Sequence, residues 1–171
     1  MTKRSGPRKT TPAGRATALA DYTFRQRFRV PAEWAFRWCI DFAPDDWARF
    51  STPGTRIVTW LSERTVRLDD RFPSAKGAAV RKVKVVQIYP DERRWVSNHI
   101  LSPNLHSQFR YSITPDGPSA SVLLFEGREL HWTGRRLSNT ENARLSRRLR
   151  TEDSGGWRRL AAEMEHDYRK R

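Results

Sequence analysis

The sequence predicts an α+β fold in which an antiparallel sheet of about seven strands packs on a long C-terminal helix, with two short helices after the first strand. Three observations predict it. Residues Tyr22, Phe24, Gln26, Phe28 and Val30 alternate with Thr23, Arg25, Arg27 and Arg29, the two-residue period of a half-buried strand. From Arg56 to Trp132, short apolar runs are separated by turn-forming clusters. Near the end, Leu145, Leu149, Trp157, Leu160, Ala161, Met164 and Tyr168 recur at helical spacing.

Each element has a local cause. Residues 1–20 are basic, small and turn-forming without periodicity, so they read as a flexible tail ahead of a domain over 21–171. Pro31 stops the first strand and opens a short helix carrying Trp34, Ala35, Trp38 and Cys39. A second short helix follows over 44–50, where Asp45 and Asp46 complement the dipole of its first turn. Strands are expected over 56–61, 64–68, 80–89, 94–101, 106–114 and 121–132, with 51–54 a turn and 69–77 a loop. The valines of 80–89 occupy both faces and leave its register open. Gly127 marks a bulge or a close approach by the last helix. Ser138 and Glu141 form a capping box that starts that helix. Ser154, Gly155 and Gly156 predict a break or kink within it.

Composition narrows the function classes. The chain has 171 residues, one core's worth, with 33 Lys plus Arg against 19 Asp plus Glu and a net charge of +14. Because the arginines are scattered, they read more as a solvated surface than as a phosphate-reading stripe, and the N-terminal tail could add weak affinity for a polyanion. Cys39 is the single cysteine, so no internal disulfide or cysteine zinc site is possible, and its apolar neighbours suggest an inert packed thiol. His99, His106 and His131 lack metal-ligand spacing, and no phosphate-binding glycine loop or nucleophile elbow is present. No metal or cofactor is expected. No transmembrane segment or signal-peptide core is read, which predicts a cytoplasmic protein.

The order of elements and three passages resemble the START-like superfamily (SRPBCC, which includes Bet v 1-like and polyketide cyclase-like proteins). The passages are Phe28 to Phe36, Tyr111 to Gly117 and Ser154 to Leu160. The resemblance implies a helix-grip fold, in which a curved antiparallel sheet wraps the terminal helix and leaves a cavity for a hydrophobic or amphipathic small molecule.

The candidate wall residues of such a cavity are Trp60, Trp95, Phe109, Tyr111, Phe125 and Trp132 from the strands, with Trp157 and Met164 from the helix. The same residues at the same spacing would equally fill a core. Glu126 and Arg128 share one strand face and are candidate anchors for a polar group, unless they compensate each other or a bulge turns them outward. His99 shares a strand face with Trp95 and Leu101 and is a candidate hydrogen-bonding partner.

The expected function is therefore binding or transport of a hydrophobic small molecule or lipid. A cyclase or aromatase acting in the same cavity through Glu126, Arg128 and His99 is the alternative. A basic adaptor for acidic protein, RNA or anionic lipid is the third reading.

Overall fold

A computed structural model describes residues 16–49, 52–74 and 78–171. The chain runs β1 (Thr17–Phe28), α1 (Ala32–Ile40), α2 (Asp46–Arg49), β2 (Thr55–Ser62), β3 (Thr65–Phe72), β4 (Val80–Tyr89), β5 (Arg94–Leu101), β6 (His106–Pro115), β7 (Ser121–Trp132) and α3 (Asn139–Arg169). All seven strands join one antiparallel sheet in the order β1-β7-β6-β5-β4-β3-β2. Consecutive hairpins build β2 to β7, and β1 closes the sheet beside β7. The curved sheet and its two short helices grip α3, which is the expected helix-grip arrangement.

Strand β1 has the predicted alternation: Ala18, Ala20, Tyr22, Phe24 and Phe28 are buried while Arg25 and Arg27 face water. It begins at Thr17, inside the stretch read as tail, because pairing of Thr17 to Asp21 with the end of β7 orders residues that have no apolar periodicity of their own. Residues 1–15 of that tail, 50–51 of the second helix and turn, and 75–77 of the predicted loop lie outside the described residues.

Strand β3 runs to Phe72 and so includes Asp69 and Asp70, which the sequence reading placed in a loop. Two adjacent acids read as polar turn residues, yet both are buried and paired with cations. Helix α3 is continuous through Gly155 and Gly156, which corrects the predicted break. Packing of Trp157, Ala161 and Met164 into the core outweighs the propensity cost of two glycines. The capping box is present: Glu141 N donates to Ser138 Oγ at 3.3 Å and Ser138 N donates to Glu141 Oε2 at 2.8 Å.

Gly127 makes no bulge, since β7 pairs in unbroken register with both β1 and β6. Its role is a close approach by a different element. A Cβ there would lie 2.5 Å from the Tyr22 ring, so the missing side chain lets Tyr22 lie across β7.

The main core joins Phe28, Val30 and α1 to Val66, Leu68, Val86, Ile88, Ile113 and Leu123, with Ala161 and Met164 from α3. A second cluster of Ala20, Tyr22, Phe24, Phe125 and Leu149 lies under the first half of α3.

Candidate functional site

Directly paired residues of an antiparallel sheet share a face, so the strand registers line inward side chains into rows. One row is Ile88, Trp95, Tyr111, Phe125 and Phe24, all apolar or aromatic. The next is Val86, Ser97, Phe109, Gly127 and Tyr22. The third is Lys84, His99, Ser107, Glu129 and Ala20. Over three rows the inner face thus changes from aromatic to ionic.

Trp95 and Tyr111 stack with centroids 4.7 Å apart, and the Trp157 ring lies 5.7 Å from Tyr111 and 6.4 Å from Trp95. Tyr111 lines two cavities, so its ring stands between them. The smaller, about 200 Å³, is enclosed by Trp38, Cys39, Phe42, Trp47, Arg56, Trp95, Trp157 and Leu160. The larger, about 440 Å³ and open to solvent on one side, is lined by Lys82, Lys84, Ser97, His99, Phe109, Glu129, His131, Leu149 and Asp153, with the 102–104 turn and Ser107.

Beneath the boundary lies a buried ionic network. Asp70, fully buried, accepts from Arg56 Nε at 2.7 Å and Trp47 Nε1 at 2.9 Å, and lies 2.8 Å from Lys84 Nζ. Arg56 Nη1 also pairs with Asp46, and the guanidinium sits 4.6 Å from the Trp47 ring centroid. Burial would raise the Asp70 carboxyl, but the Arg56 hydrogen bond and the Lys84 and Arg56 charges hold it at about 2. Burial also pulls the Lys84 ammonium down, against the attraction of Asp70. Two cations and two carboxylates leave the network neutral.

On the opposite wall, Tyr22 Oη lies 2.7 Å from Glu129 Oε1 and 2.6 Å from Asp153 Oδ2. A phenol has one proton, so both contacts are hydrogen bonds only when one carboxyl is protonated. Glu129 also accepts from Asn104 Nδ2 at 2.5 Å and Ser107 Oγ at 3.3 Å. The Asp153 carboxyl is raised to about 6 by burial, against the hydrogen bond from Tyr22, and further by the charges of Glu129 and Glu152. The Tyr22 hydroxyl is the donor on this wall, and its one proton serves either Asp153 or Glu129. Burial and the Asp153 hydrogen bond push the phenol far above its ordinary range.

Among the described residues, the buried Ser97 Oγ and His131 Nε2 of the larger cavity have no hydrogen-bond partner, although His131 Nε2 lies 3.7 Å from Glu129 Oε2. His99 packs edge-on to Phe109 at 5.0 Å and is held neutral, lowered to about 3 by burial and then by the Lys84 and Lys82 charges.

The structure brings some of the predicted site residues together. His99 and Phe109 line the larger cavity, Trp95 and Trp157 the smaller, and Tyr111 both. Phe125 is buried behind them and stacks on Phe24 at 4.5 Å, and Met164 is fully buried in the main core. Four residues lie elsewhere. Glu126, Arg128 and Trp132 are on the outer face, because unbroken alternation through Gly127 turns even-numbered residues of β7 outward once Phe125 points in. There Glu126 lies 3.8 Å from Arg110, Arg128 lies 2.7 Å from Asp21, and Trp132 is 48% exposed. Trp60, on edge strand β2, is 51% exposed beside Phe42.

The groups missed by sequence reasoning are Tyr22, Lys82, Lys84, Glu129, Asp153 and the Asp70 network. A signal existed for two of them: Glu129 continues the inward parity of Leu123 and Phe125, and Asp70 continues that of Val66 and Leu68. Tyr22 and Asp153 are 131 residues apart and carry no joint signal.

No protein-family model matches the sequence. No curated protein matches it either. Among solved structures, the Zhui aromatase/cyclase from a Streptomyces strain superimposes with a TM-score of 0.67 at 10% identity, over 86% of this chain and 94% of that one. A START superfamily protein from Mycobacterium smegmatis gives 0.64 at 14% identity, over 85% and 97%. Norcoclaurine synthase from Thalictrum flavum, in complex with dopamine and hydroxybenzaldehyde, gives 0.63 at 9% identity, over 99% and 97%. At these identities the likeness is one of fold. No helix among the described residues is long and apolar enough to cross a membrane.

Proposed function

Starting from the START-like helix-grip fold of this chain, we propose that it binds a small amphipathic molecule between the inner face of the sheet and α3. The observation that carries this reading is the larger cavity, about 440 Å³, with the buried and unpartnered Ser97 Oγ on its wall. A buried hydroxyl without a partner is costly unless something in the cavity supplies the missing hydrogen bond. The volume falls within the range of small-molecule sites. Phe109, Tyr111 and Leu149 offer apolar contact, while Lys84, His99, Glu129 and Asp153 offer polar contact. The aromatic row beyond Tyr111 limits the guest to one lobe, which favours a compact guest over a long acyl chain.

Native mass spectrometry of the full chain purified from its own host tests the reading. A small molecule travelling with the protein, and released by Ser97→Leu, is the expected result. Uniformly unliganded protein, together with equal affinity of wild type and Ser97→Leu for aromatic probes, would overturn it.

A second reading, an enzyme of cyclase or aromatase type, is favoured by the Asp153–Tyr22–Glu129 chain. A carboxyl raised to about 6 on a cavity wall is suited to proton transfer near neutral pH. The polar groups of that enzyme would be Asp153, Tyr22 and His99, in place of Glu126 and Arg128. Loss of turnover by about 100-fold in Asp153→Asn, with binding of the released guest retained, would establish it.

A further inference from the structure

The charges around the larger cavity are distributed unevenly. Lys84 is matched by Asp70, 2.8 Å away, inside a neutral network. Lys82, on the same strand and the same wall, has no carboxylate within ion-pair distance among the described residues. Its ammonium sits over the face of Phe72, 5.7 Å from the ring centroid. Glu129 and Asp153 stand on the other wall, and among the described residues neither has a Lys or Arg partner. Strands β4 and β7 are separated by β5 and β6, and the sheet curves so that the Lys82 charge reaches the Asp153 carboxyl across the cavity without an ion-pair contact. Between them lie Phe109 and the unpartnered Ser97 hydroxyl.

We infer that the guest is a bipolar aromatic acid, seated with its anionic group beside Lys82 and a hydroxyl on the far side of its ring donating to the Asp153–Glu129 wall. This rests on the binding reading above. An anion completes Lys82, which has no ion-pair partner among the described residues, and a carboxylate also accepts from Ser97 Oγ. Both carboxyl groups of the far wall keep acceptor lone pairs beyond those used by Tyr22, Asn104 and Ser107. An aliphatic guest would forgo the ring contacts with Phe109 and Tyr111. A cationic guest would meet Lys82 unpaired.

The experiment is calorimetric titration of the full-length protein with 4-hydroxycinnamate, its neutral amide and cinnamate as probes. The acid is expected to bind about ten-fold or more tightly than the amide, the scale of one charge-assisted hydrogen bond. Lys82→Met, and Lys82→Gln as a second variant, are expected to erase that preference while amide binding persists. Cinnamate is expected to bind more weakly than 4-hydroxycinnamate in wild type, and equally to it in Asp153→Leu.

Equal affinity for acid and amide in wild type would overturn the inference and leave the binding reading standing. So would a preference that survives in both Lys82 variants, since that comes from the general positive charge of the chain. Binding of none of the three probes would overturn the inference. If protein from the native host is also unliganded, the binding reading falls with it.

Discussion

Tyr22 and Asp153 share a hydrogen bond of 2.6 Å between the first strand and the last helix, and the same phenol oxygen lies 2.7 Å from Glu129. The contact makes the protonation state of one helix residue part of the packing between β1, β7 and α3.

Its pH dependence has a definite sign. The Asp153 carboxyl is raised from 3.8 to about 6 in the folded protein, so the fold binds this proton more tightly than the unfolded chain. The resulting stabilisation is complete below pH 3.8 and is lost as pH rises to about 6. The groups facing Asp153 are Tyr22, Glu129, Glu152 and Lys82. Asp153→Asn keeps an acceptor for Tyr22 without a titrating group. Its melting temperature relative to wild type should rise steadily between pH 4 and pH 6 and level off above. A constant difference across that window, in thermal melts at matched ionic strength, would show that Asp153 titrates normally.

Asp70 should be the most sensitive charged position. Asp70→Ala leaves Arg56 and Lys84 buried without their shared partner, and is expected to cost about 3–5 kcal/mol in denaturant unfolding. Adding Lys84→Met to it should recover part of that loss. A cost below about 1 kcal/mol would mean the network is solvated in solution.

Gly127→Ala puts a methyl group 2.5 Å from the Tyr22 ring in the middle of a rigid pair of strands. The expected cost is about 1–3 kcal/mol. In a Tyr22→Leu background the same substitution should cost far less, because its neighbour has gone, so the double-mutant cycle should show coupling. Additive losses would place the strain elsewhere.

The outer face of β7 should be silent toward ligands. Glu126→Gln, Arg128→Gln and Trp132→Ser are each expected to leave the melting temperature and probe affinity essentially unchanged. Met164→Ala, on the fully buried side of α3, is expected to cost about 2–5 kcal/mol.

Tyr111→Ala should join the two cavities. Guests too long for one lobe, such as a fluorescent fatty acid, should then bind more tightly than to wild type, at some cost in stability. Unchanged fatty-acid affinity in a folded Tyr111→Ala protein would show that the ring does not separate the lobes.

The sequence by itself determined what depends on near neighbours. Alternation placed β1 and its buried even positions, Ser138 and Glu141 started α3, and turn chemistry separated β4 through β7. These signals repeat within a few residues, so they survive without knowledge of the rest of the chain. Alternation also put Glu126 and Arg128 on one face of β7, but it says which residues share a face and not which face is inside. Tertiary structure decided that, because only the approach of α3 gives the sheet an inner side. It also kept α3 continuous through Gly155 and Gly156, where packing outweighed local propensity. Above all it made the site, since Lys82, Ser97, Glu129, Asp153 and Tyr22 come from four strands and a helix and meet only when the sheet curves round that helix. Charge and hydrogen-bond complementarity act through space over a few ångströms, and separation along the chain does not encode them.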